Sequence, residues 1–121
     1  RNMAALLLEG WLKKDGNNMG TWKDRYCVLT YANEEFTLDY YVDKDLADKK
    51  GTFVIPRKSG FSKVQDSVDY KNCFSLEVSG VGLSARKAGT KVNFSCPTLE
   101  CWYFWERAFQ NAKAPVGIMP G

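Results

Sequence analysis

At Pro97 the hydrophobic period of this chain changes from two to about 3.6, and no other feature restricts the possible folds as strongly. Before it lie short alternating stretches at residues 6–14, 22–31, 36–42, 51–56, 73–79, 83–87 and 90–96. They are separated by turn residues such as Asp15-Gly16-Asn17-Asn18-Met19-Gly20 and Ala88-Gly89. After it, Cys101, Trp102, Trp105, Ala108, Phe109 and Ala112 recur at helical spacing on one face. Pro97-Thr98 suits a helix start and Glu100 complements the helix dipole, which predicts a helix over about residues 97–113, ended at Ala114-Pro115. Seven short strands followed by one amphipathic helix predict a mainly β fold. The expected form is an antiparallel barrel or two packed sheets, with the helix plugging one open end. Residues 57–72 read mainly as loop, with room for a helical turn at 62–66.

Composition narrows the function classes. A chain of 121 residues supports one domain, here residues 1–121, with a core over about 5–113. Residues 1–4 and 114–121 are expected to be flanking linker, and the whole is expected to be a piece of a longer protein. Hydrophobic residues at 45% argue against disorder. Seventeen Lys and Arg against 14 Asp and Glu leave a charge of only +3, too little for a nucleic-acid binder unless the charge clusters. The apolar run 3–8 is too short for a signal-peptide core or a bilayer span. Cys27, Cys73, Cys96 and Cys101 form no CxxC pair, and the chain has no histidine. They are expected to be buried thiols in a reducing cytosol rather than a zinc site, so no cofactor or metal is predicted. Without histidine or a Gly-rich phosphate loop, no catalytic constellation is legible. The sequon Asn93-Phe94-Ser95 falls in a predicted strand and is discounted. No strand reads as a long bare apolar edge, so a monomer is expected.

The first hairpin concentrates the chemistry. Alternation puts Lys14, Lys23 and Arg25 on the face of Leu12, Cys27 and Leu29, near its open end, and turns Lys13 and Asp24 to the other face. Cations projecting from a rigid barrel mouth offer charge-assisted bonds, which favours a binding module for an anionic partner over an enzyme. Trp11 and Trp22 read as packing residues.

Five stretches in order carry a family resemblance: Gly10-Trp11-Leu12; Trp22-Lys23-x-Arg25-Tyr26-x-Val28-Leu29; Leu38-x-Tyr40-Tyr41; Lys50-Gly51; and Trp105-x-x-Ala108-Phe109. Together, over about residues 5–113, the sequence resembles a pleckstrin homology (PH) domain. The resemblance implies a seven-stranded, strongly bent antiparallel barrel capped by a C-terminal helix. It also implies binding of phosphoinositide headgroups, or another anionic phospholipid such as phosphatidic acid, at the cytosolic face of membranes. Lys14 and Lys23-x-Arg25 fit the family's basic signature, and by the same resemblance Tyr40 and Lys50 reach the same phosphates. Lys13 lies near a second site that some members use for anionic lipids, and Met19 sits at the turn tip, placed to meet the headgroup layer. The sequence departs from tight binders at Asn17 and Asn18, where further basic residues often stand, and in the charged loop 43–48. Five cations at about 1 kcal/mol each give about 5 kcal/mol at an anionic membrane, a Kd near ~0.2 mM. Recognition therefore requires a fitted pocket. The alternative is a protein-interaction module using Tyr103, Phe104 and Arg107, which fall off or beside the buried helix stripe.

Overall fold

The longest ladder joins β1 (Ala5–Gly16) to β2 (Thr21–Ala32), antiparallel, from Ala5 opposite Tyr31 to Gly16 opposite Thr21. A computed structural model of the chain describes residues 5–16, 21–57, 60–81, 89–112 and 117–119. The remaining strands are β3 (Glu35–Tyr41), β4 (Lys49–Pro56), β5 (Phe61–Lys63), β6 (Cys73–Val81), β7 (Thr90–Ser95) and β8 (Gly117–Ile118). Sheet order runs β2-β3-β4-β6-β7-β1-β8, and the β1–β2 pairing closes it into a barrel. β1 is shared along its length: its C-terminal end pairs with β7 through Lys13 and Lys14, while Leu8 and Glu9 pair in parallel with β8.

Alternation builds the interior. β3 and β4 each bury every second residue, with Phe36, Leu38 and Tyr40 facing Phe53 and Ile55. The α-helix α1 (Leu99–Gln110) buries Cys101, Trp102, Trp105, Ala108 and Phe109 on the stripe expected from its periodicity. Aromatic contacts fasten it to the barrel. Phe109 lies 5.0 Å from Phe36, and the Trp102 indole N–H donates to the Cys73 carbonyl at 2.9 Å. The four cysteines are buried thiols.

Several boundaries differ from the sequence reading, each for a physical reason. The helix is shorter than 97–113, because Thr98 adopts an extended backbone and its hydroxyl accepts from the Cys101 N–H at 3.1 Å. Thr98 is therefore the N-cap and Pro97 lies outside the helix. Leu7 is buried although parity turns it outward, because the β1–β2 register slips between Leu6 and Leu8. A bulge of this kind puts two consecutive residues on one strand against one partner. Residues 61–63, read as loop, form β5 against β6. Gly60 makes this possible, since a Cβ there would overlap the Ile55 side chain. The tail, read as linker, docks at Gly117–Met119: the Met119 N–H donates to the Glu9 carbonyl at 2.8 Å. A Cβ on Gly10 would stand 2.8 Å from the Met119 Cβ, so the glycine leaves room for that docking. The strand expected at 83–87 lies outside the described residues.

Two short connections show contrasting backbone chemistry. Asn33 and Glu34 both have positive φ, as a two-residue type I′ hairpin between β2 and β3 requires. In the β3–β4 loop, Leu46 also has a φ of 60° while its side chain is 42% exposed. Left-handed geometry costs a residue with a Cβ about 1–2 kcal/mol, and glycine in turn costs about 0.5–1 kcal/mol of chain entropy. Leu46→Gly is therefore expected to raise stability by about 0.5 kcal/mol, measured by urea unfolding. A loss of similar size would mean that Leu46 makes a packing contribution larger than its strain.

Candidate functional site

The hairpin register assembles the basic residues. Lys14 stands directly opposite Lys23, and Arg25 opposite the buried Leu12, so all three share the face that leads into the barrel. The ladders continue that face from Cys27 to Tyr40 and from Tyr40 to Gly51. Lys14 is only 8% exposed, with its ammonium 4.9 Å from the Tyr40 ring centre and 5.6 Å from that of Phe53. Those two rings stack 5.0 Å apart. The lysine stem therefore lies along an aromatic floor that attracts its charged end. Lys23 is exposed, and the Arg25 guanidinium donates to the Asp24 carbonyl at 2.9 Å. Beneath them, burial pushes the Cys27 thiol up to about 12, while the positive charges of Lys14 and Arg25 pull it down.

The other candidate residues are placed differently. Tyr40 is buried and forms the floor under Lys14. Lys50 is exposed, 3.7 Å from the Asp48 carboxylate, where a register shift separates the Tyr40–Gly51 and Tyr41–Lys49 pairs. Lys13 takes the opposite face, as parity requires, and pairs with Asp24 at 2.8 Å. That pair borders a separate cavity of about 400 Å³ with Trp11, Ser95, Cys96 and Pro97. Met19 lies outside the described residues. On the outer face of β3, Lys49 bonds Asp39 at 2.9 Å, and this hydrogen bond holds its ammonium above the usual lysine range. On the helix, Tyr103 is 53% exposed, whereas Phe104 packs against the core with Arg107 5.5 Å from its ring centre.

Sequence reasoning missed two features near these groups. The Trp22 ring stacks on Tyr70 at 4.3 Å, tying the hairpin to the β5–β6 connection. Leu99 is 56% exposed beside Tyr103. The exposed leucine at the helix start, one turn before Tyr103, was the available signal for the second feature.

A closed antiparallel β-barrel with one C-terminal helix and a basic first hairpin defines a small binding domain. Compared with known families, the sequence matches the PH domain over residues 6–114, and the chain belongs to that family. Solved structures show the same fold. The C-terminal PH domain of pleckstrin aligns with a TM-score of 0.64 at 19% identity, covering 89% of this chain and 96% of that one. The PH domain of human pleckstrin homology domain-containing protein family A member 5 aligns at 0.54 and 21% identity, covering 98% and 84%. The PH domain of human KIAA0053 protein aligns at 0.57 and 18% identity, covering 93% and 92%. No curated protein matches the sequence. PH domains are in general non-catalytic modules that bind lipids or proteins. Among the described residues, no helix is long and apolar enough to cross a membrane.

Proposed function

We propose that this domain is a non-catalytic membrane-targeting module. It binds the headgroup of a phosphoinositide, or of another anionic phospholipid, at the cytosolic face of membranes. Lys14, Lys23 and Arg25 supply the charge, Tyr40 supports Lys14, and Lys50 adds charge at the rim. One observation carries the reading: Lys14 and Lys23 stand directly opposite each other, with Arg25 two residues along the same face. Like charges directly opposite on a ladder destabilise it, and a bound polyanion reverses that cost. Lys13 is paired with Asp24 on the other face and is not counted in this site.

The test is vesicle binding at physiological salt, across phosphoinositides, phosphatidic acid and phosphatidylserine, for wild type and Lys23→Ala/Arg25→Ala. Each lost charge-assisted contact is worth about 1.5 kcal/mol or more. The double replacement is therefore expected to weaken selective binding by about a hundredfold or more. Binding that follows only total lipid charge and disappears with salt would identify an adsorbing surface without a site. Absence of binding to every vesicle would overturn the reading.

A second reading, a protein-binding surface on the helix, is favoured by the exposure of Tyr103 next to Leu99. Phe104 and Arg107 pack on each other, which leaves Tyr103 as the presented aromatic.

A further inference from the structure

The cation face of the first hairpin carries one residue to which headgroup binding gives no part. β2 begins at Thr21, opposite Gly16, and the next rungs on that side are Lys14 opposite Lys23 and Leu12 opposite Arg25. Alternation therefore puts the Thr21 side chain in line with those of Lys23 and Arg25, and diagonally across the ladder from Lys14. Diagonal neighbours on one face stand about 7–8 Å apart, within reach of long side chains. Thr21 is exposed, and its ladder partner is a glycine, so no side chain across the ladder separates it from Lys14.

The charges around Thr21 are of one sign. Asp24 lies on the opposite face, paired with Lys13 at 2.8 Å, and alternation turns Asp15 the same way as Lys13. Among the described residues, neither Lys23 nor Arg25 takes part in an ion pair. An anion attached to Thr21 would thus enter a group of three cations with no carboxylate of the hairpin on the same face.

We infer that Thr21 is a phosphorylation site, and that its phosphate closes the headgroup site by occupying the cations in cis. The donor is ATP bound to a serine/threonine kinase. The Thr21 Oγ bonds to the γ-phosphorus, and the bond from that phosphorus to the β-phosphate oxygen breaks. ADP leaves, and the hydroxyl proton passes to the catalytic aspartate of the kinase. Lys23 and Arg25 follow the acceptor at two and four positions, a charge pattern that an acidic kinase cleft can read. The product carries about −1.5 to −2 charges at pH 7 and three acceptor oxygens, enough for about one to three charge-assisted bonds to Lys14, Lys23 and Arg25. Because the phosphate is tethered, it competes with a headgroup at an effective concentration in the millimolar range. The switch regulates the site proposed above and rests on that reading, whereas the contact between phosphate and cations rests on the ladder register alone.

The experiment prepares the chain with phosphothreonine encoded at position 21 and follows its phosphorus resonance, urea unfolding and vesicle binding. Neighbouring cations favour the dianion, so the phosphate is expected to titrate at least about half a pH unit below its value of about 6 in the urea-unfolded chain. Lys23→Ala/Arg25→Ala in the phosphorylated chain is expected to bring that titration back toward the unfolded value. The urea midpoint is expected to rise on phosphorylation, since the like-charge opposition of Lys14 and Lys23 is relieved. Binding to phosphatidylcholine vesicles doped with a phosphoinositide is expected to fall by about thirtyfold or more, as for a tethered competitor. Treatment with ATP and a kinase of basic specificity is expected to weaken wild type to the same extent. The same treatment is expected to leave Thr21→Ala binding as it was before. A phosphorus titration equal in the folded and unfolded chain overturns the proposal. Full vesicle binding by the phosphorylated chain overturns it too, as does failure of such kinases to label Thr21. An unmodified chain that binds no vesicle overturns the headgroup reading and the switch with it, while a lowered phosphorus titration in that chain would uphold the place of the phosphate among the cations.

Discussion

Trp105→Ala is expected to lower the unfolding free energy by about 3–5 kcal/mol, the range for truncating a large buried aromatic residue. Trp105 is 1% exposed, and its ring stacks over Phe74 at 6.4 Å between centres. Phe74 in turn stacks on Phe94 of β7 and on Phe61 of β5. The indole therefore joins the helix to three strands, and its removal leaves a cavity that rigid barrel walls cannot close. A domain of this size is stable by roughly 5–15 kcal/mol in total, so the variant should be marginal at physiological temperature. Urea unfolding followed by far-ultraviolet circular dichroism checks this without relying on tryptophan emission. A loss below about 1 kcal/mol would show that the helix is not an integral part of the core.

Lys14→Met is expected to move stability and binding in opposite directions. Methionine keeps an unbranched apolar stem against Tyr40 and Phe53 and removes the ammonium. It also removes the like-charge opposition with Lys23. Stability is expected to stay level or rise by about 0.5 kcal/mol. Vesicle binding is expected to fall by about thirtyfold, corresponding to about 2 kcal/mol for one charge-assisted contact at the centre of the site. Unfolding and vesicle titration on the same preparation give both numbers. Unchanged binding would make Lys14 a lysine of the barrel interior and move the headgroup contact to Lys23 and Arg25.

The faces of the first hairpin were legible because alternation is a local property. Once Leu12 and Cys27 are assigned to the core, Lys14, Lys23 and Arg25 must share their side, and Lys13 and Asp24 must meet on the other. The helix was legible for the same kind of reason, since Trp102, Trp105 and Phe109 repeat on one stripe. Its ends were less so. Which of Pro97, Thr98 and Leu99 begins the helix depends on whether the Thr98 hydroxyl reaches the Cys101 N–H, a matter of rotamer and not of pattern.

The burial of Tyr40 under Lys14 was not legible. Alternation gives the side a residue faces, but depth depends on how strongly β3 and β4 bend across the mouth. The pairing of β5 with β6 was equally hidden. Three residues are too few to display a period, and Phe61-Ser62-Lys63 become a strand only because β6 supplies their hydrogen-bond partners.

The amino-acid sequence by itself determined that this chain alternates short strands with turns, ends in one amphipathic helix, and places three cations on one side of its first hairpin. Each of those properties depends on residues within a few positions of one another. Only the tertiary structure decided that Leu7 turns inward at a bulge, that Gly117–Ile118 joins β1, and that residues 61–63 pair with β6. Those outcomes depend on backbone partners far away in the chain, which no local period encodes.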